Sequence, residues 1–136
     1  RSQLSEAQQR VLDECLADAY LASGNVIDAA VIYESLLKSG PATEDRVRVV
    51  AELLERRGDA ASLTRAKTYW GQFERSQQPG SQGWFDARLN IARCALKLGQ
   101  RDEARKLIAL TRLAYPALGG PQMQQEFDRL QTELGN

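Results

Sequence analysis

Histidine is missing altogether from this 136-residue chain, and cysteine, methionine and proline are scarce at two, one and four. Without imidazole the chain lacks the commonest general base and the commonest metal ligand. Its Ser and Thr hydroxyls have no histidine to activate them. No glycine-rich phosphate loop is present, and no acidic pair stands apart from ordinary helix-surface charge. The expectation is a protein that is not an enzyme and needs no cofactor and no metal. No apolar run reaches 18 residues, which excludes a membrane-spanning helix. Eighteen basic and eighteen acidic residues cancel, so the basic footprint of a nucleic-acid binder is absent. The chain opens on Arg1 with no basic, apolar and small-residue sequence of a secretory leader behind it, and it has no initiator Met. It therefore reads as a processed or excised piece of something longer, with no signal peptide visible.

What is present is one small pattern written three times. The first copy is Leu16, Ala17, Tyr20, Gly24, Ala29, Tyr33, Leu36 and Pro41. Thirty-four residues beyond Gly24 the chain gives Val50, Ala51, Leu54 and Gly58. Forty-one beyond Gly58 it gives Ile91, Ala92, Ala95, Gly99, Ala104, Ile108, Thr111 and Pro116. Ala17, Ala51 and Ala92 each follow a large apolar residue and stand seven before a glycine, where a small side chain lets a second helix approach closely. Gly24, Gly58 and Gly99 fall where a helix should stop in the left-handed conformation that glycine favours. Pro41 and Pro116 close the second helices of their units. In the middle copy Ala66, Trp70 and Phe73 regain the spacing of Ala29, Tyr33 and Leu36 only if three residues are inserted after Asp59. Residues 60–63 should thus lengthen that helix by about one turn, and the stretch from Gln77 to Gly83 should be a loop.

Capping signals place seven helices. Ser5 with Gln8 forms a capping box for a helix to about Ala22; Asn25 caps a second to about Lys38. Thr43 caps a third to about Arg57, with Glu44 and Asp45 complementing the helix dipole. Further helices run over about 60–76, 82–98 and 101–114. Pro121 opens a seventh to about Leu134, whose Met123, Phe127, Leu130 and Leu134 form one apolar stripe.

This periodic arrangement resembles the tetratricopeptide repeat (TPR) family. The resemblance implies an all-α fold: a right-handed solenoid of helix–turn–helix repeats in a single domain spanning residues 1–136. Repeat one covers about 10–42, repeat two about 43–80 with its insertion, repeat three about 84–118, and a capping helix about 121–134. Units one and three of such a stack do not touch. Cys15 and Cys94 are then unpaired, small, buried or half-buried thiols beside core-facing Leu16 and Ala95, which mildly favours a reducing, cytoplasmic location.

The resemblance also implies the function, a protein–protein interaction scaffold holding a peptide or protein on the concave face of the first helices. The candidate binding residues are Glu14, Asp18 and Leu21 on the first unit. Arg48, Glu52 and Arg56 follow on the second, and Leu89, Asn90, Arg93 and Lys97 on the third. Glu52 and Arg56 have the spacing of an i,i+4 ion pair, whereas Arg93 and Lys97 read as an unpaired basic edge. The Lys, Asn and Arg clamp by which chaperone-binding members grip a terminal carboxylate is missing, because Glu14 and Asp18 would repel one. Residues 1–40 carry three basic and six acidic residues, and residues 81–136 carry eight and six. A groove acidic at its start and basic at its end would orient an extended segment. The competing expectation is a structural or oligomerising module associating through its ends or convex face. Trp84 and Phe85 are expected either to form a hydrophobic staple or pack against Trp70 and Phe73, or to stand out as an exposed anchor.

Overall fold

A computed structural model describes residues 4–135 of the chain. Arg1, on which the reading of the leader rests, lies outside the described residues. Among the described residues the fold is all-helical, with seven helices. They are α1 (Glu6–Ala22), α2 (Val26–Ser39), α3 (Glu44–Arg57), α4 (Ala60–Ser76), α5 (Gln82–Lys97), α6 (Arg101–Ala114) and α7 (Pro121–Leu134). None of them is long and apolar enough to cross a membrane.

Local chemistry explains the boundaries. The Gln8 amide donates to Ser5 Oγ at 3.1 Å and the Ser5 amide to Gln8 Oε1 at 2.9 Å, a reciprocal capping box. Asn25, Thr43, Asp59 and Ser81 each accept a backbone N–H at the start of α2, α3, α4 and α5. Hydrogen bonds from Ser62 hold the Asp59 carboxyl below its ordinary range. Gly24, Gly58 and Gly99 have φ of +85°, +77° and +80°, so the chain turns into each second helix through the left-handed region. The extra residues after Asp59 are helical: α4 has 17 residues where α2 and α6 have 14. Helix α5 starts at Gln82, where the capping signals place it, so the loop read from sequence over Gln77 to Gly83 ends at Ser81.

Each helix from α1 to α6 packs on the next in chain order, and α7 packs on both α5 and α6. Ala17, Ala29, Ala51, Ala66, Ala92 and Ala104 are all fully buried, the small contacts that allow close approach. One core joins α1 through α5 around Leu54 and Trp70; a second joins α5, α6 and α7 around Ile108 and Phe127. Helix α5 serves both. Ala87 and Cys94 enter the first core, while Phe85, Leu89, Ala92 and Ala95 enter the second. Buried on two sides, α5 is apolar around most of its circumference.

Three expectations are corrected here. Leu16 is 46% exposed rather than core-facing, because among the described residues helices pack on one side of α1 only. Cys15 on the same face is exposed, and only Cys94 is buried; burial pushes the Cys94 thiol up to about 12. Trp84 and Phe85 are buried but do not join Trp70 and Phe73. They stack edge-on against Tyr115, with ring centroids 5.2 and 5.4 Å away, and the Arg88 guanidinium lies over Trp84. Gly119 (φ +85°) touches this cluster so closely that a Cβ there would meet Phe85 at 2.7 Å.

Candidate partner-binding groove

The odd-numbered helices α1, α3 and α5 present a shared surface. Its centre is a recess of about 460 Å³ lined by Leu21, Val49, Glu52, Leu53, Glu55, Arg56, Asn90, Arg93 and Lys97. Apolar Leu21, Val49 and Leu53 lie between charged neighbours contributed by α3 and α5. The structure therefore gathers Leu21, Glu52, Arg56, Asn90, Arg93 and Lys97 from the sequence candidates. Glu14 and Asp18 line an adjoining recess with Tyr33, Thr43, Asp45 and Arg46, and Val49 belongs to both. At the other end, Glu52, Asn90 and Arg93 also border a recess of about 610 Å³ closed by the start of α7. The three hollows form one run across the helices.

Besides Glu14 and Asp18, two candidates fall outside the central recess. Arg48 reaches back along its own helix to Asp45 at 3.0 Å and Glu52 at 3.2 Å; its hydrogen bond to Asp45 pushes its pKa up. Leu89 is 3% exposed and belongs to the second core, because its α5 position faces α6 and α7. It touches only the floor of the hollow beside α7.

The charge pattern departs from the sequence reading in three ways. First, the acids of α1 are engaged: Glu14 pairs with Arg46, and Asp18 accepts a hydrogen bond from the Tyr33 hydroxyl. Second, Glu52 takes Arg48 rather than Arg56, and Arg56 is exposed with no ion pair among the described residues. Third, Arg93 and Lys97 are not an unpaired edge. Both approach Glu55 Oε2, at 3.4 and 3.8 Å, and Arg93 also approaches Glu126 at 3.9 Å and donates to Asn90 Oδ1 at 2.5 Å.

Glu55 is the residue that sequence reasoning undervalued. Its side chain is 10% exposed, and its other oxygen accepts the indole N–H of fully buried Trp70 at 3.2 Å. One sheltered carboxylate thus holds a core tryptophan and faces two cations. With Glu52 committed to Arg48, the recess has Arg56, Arg93 and Lys97 against this single acid. It is cationic, with an apolar floor. At the α7 end Asp86, Glu52 and Glu126 line the hollow with Arg93, and burial pushes the Asp86 carboxyl up despite Arg93 and Arg48 nearby.

No family model and no curated protein matches the chain. The functional reading rests on this geometry.

Proposed function

We propose that the chain is a TPR-like solenoid in which α1–α2, α3–α4 and α5–α6 are the repeats and α7 is the cap, and that it works as a protein–protein interaction scaffold. The partner is an extended peptide segment lying across α1, α3 and α5. Supporting the repeat reading are the three left-handed glycines, the buried alanines on facing helices and the packing of each helix on its successor. The polar outer side of α7 suits an end that meets water.

One observation carries the choice of partner: an apolar floor of Leu21, Val49 and Leu53 beside exposed Arg56 and Lys97. That combination suits a segment that mixes acidic and large apolar side chains. The floor supplies burial, and Arg56 supplies a cation whose neutralisation breaks no ion pair among the described residues. Selection of peptides from a random display library on the intact chain tests this, with the Arg56→Glu/Lys97→Glu double variant as counter-target. The expected selectants are acidic and apolar. At about 0.2–1 kcal/mol per exposed charge contact, their affinity for the double variant should fall roughly two-fold to thirty-fold. The loss should shrink at high salt. Basic selectants, or binding indifferent to the double change, would overturn the groove reading.

A further inference from the structure

We propose that the outward face of α1 is a second docking site, which receives an amphipathic helix of a partner protein carrying a Lys or Arg to meet Asp28. The proposal rests on the repeat reading of the fold but is independent of what occupies the groove.

The face consists of Leu12, Cys15, Leu16 and Ala19, at helical spacing and all exposed, with Leu12 at 56% and Leu16 at 46%. It lies opposite the side of α1 that meets α2 and α3 through Ala17, Leu21 and the Glu14–Arg46 pair. The glycine register identifies the matching positions elsewhere. Thirty-four residues on, from Gly24 to Gly58, they are Arg46, Val49, Val50 and Leu53; 75 on, at Gly99, they are Ala87, Asn90, Ile91 and Cys94. Not one of these eight is exposed, and Val50, Ala87 and Cys94 are fully buried. Val50, Leu53, Ala87 and Cys94 sit in the first core, where α3 packs on α2 and α5 on α4, while Arg46, Val49 and Asn90 reach the edge of the groove. The same surface on α1 therefore has the shape and polarity of a seat for one more helix.

The flanking charges specify that helix further. Arg65 on α4 donates to Glu34 on α2 at 3.3 Å, and Glu103 on α6 accepts from Lys67 on α4 at 2.8 Å. Both occupy one register position, and each pairs backward with the preceding second helix. The residue in that position on α2 is Asp28, which is exposed and, among the described residues, accepts only from the Asn25 side-chain amide, at 2.7 Å. A helix seated before α1 would meet it with a cation, as α4 meets Glu103 with Lys67. A second copy of this chain fits less well. Two such faces would bring together segments that each have six acidic and three basic residues in the first 40, and the outer side of α7 is polar rather than complementary.

The chain supplies its own reporter and probe. Cys15 sits within the face and is exposed, while Cys94 is buried, with its thiol pushed up to about 12, and should stay silent to alkylating reagents. The probe is a peptide of residues 60–76, held helical by a hydrocarbon staple replacing the exposed Thr64 and Thr68. Cys15 alkylation is followed in the intact chain as the probe is titrated. The expected result is slowing by about five-fold or more at saturation. Affinity should fall several-fold for a Lys67→Glu probe and recover when that probe meets an Asp28→Lys chain, and Leu16→Asp should abolish protection. Unchanged Cys15 reactivity at millimolar probe, or a charge swap without recovery, would overturn the proposal. Slowing that depends on protein concentration without probe would overturn it in favour of a second copy. The Arg56→Glu/Lys97→Glu chain should be protected like the parent; loss of protection there would place the probe in the groove and refute this site, while failure of the groove peptides leaves it standing.

Discussion

Replacing Glu55 should separate what holds the fold from what the groove offers a partner. Its carboxylate accepts the Trp70 indole N–H at 3.2 Å and faces Arg93 and Lys97 at 3.4 and 3.8 Å. Glu55→Ala leaves the indole N–H of a fully buried tryptophan without an acceptor, a loss of about 1–3 kcal/mol. The ion pairs add less, because Lys97 is 46% exposed and Arg93 32%; about 0.2–1 kcal/mol covers them after screening. The total is about 1–4 kcal/mol, or roughly 4–16 °C in Tm for a chain of this length. Glu55→Gln keeps an oxygen for Trp70 and should lose only the charge contribution. Urea unfolding followed by tryptophan fluorescence measures both variants. Equal stabilities for the two would refute the assignment of Glu55 as the Trp70 acceptor. Either variant also makes the recess more cationic, so acidic groove peptides should bind Glu55→Gln more tightly than the parent at low salt.

Three further outcomes are expected. Ala17→Leu or Ala92→Leu overpacks a fully buried helix contact and should cost about 1–3 kcal/mol in chemical denaturation; a variant as stable as the parent would count against close helix approach there. Phe127→Ala should cost about 3–5 kcal/mol, because that ring is fully buried at the centre of the α5–α6–α7 core, and a smaller loss would mean that α7 is only loosely attached. Burial and the hydrogen bond to Glu34 push Tyr69 up to about 12 from 10.0. The folded protein thus keeps that proton more tightly than the unfolded chain, so its contribution is full below pH 10 and is lost as pH rises through about 12. Tyr69→Phe should flatten the fall of stability over that interval, and an unchanged slope would remove Tyr69 as its source.

The helices were legible because their ends are written locally. Ser5, Asn25, Thr43 and Asp59 bond to amides within three residues, and the turn glycines need no distant partner. The one-turn extension of α4 was visible for the same reason, as a shift of register between Ala29 and Ala66. Charge pairing was not legible. Glu52 has a basic residue four places away on either side, and only the three-dimensional surroundings decide that it takes Arg48. Glu55 lies 15 residues from Trp70 and 38 from Arg93, so no spacing rule joins them. Leu16 misled because its pattern is that of Val50 and Ile91; the pattern marks a surface built to be covered, and burial depends on whether a neighbouring helix is there.

The central claim is that the face shared by α1, α3 and α5 receives an acidic and apolar segment. Amide and side-chain NMR shifts of the intact chain, recorded while the display-selected peptide is titrated, test it most directly. The account predicts the largest changes at Leu21, Val49, Leu53, Arg56 and Lys97, diminished together by Arg56→Glu/Lys97→Glu. Changes centred instead on exposed Lys106, Leu110 and Leu113 of α6, with the recess silent, would contradict it.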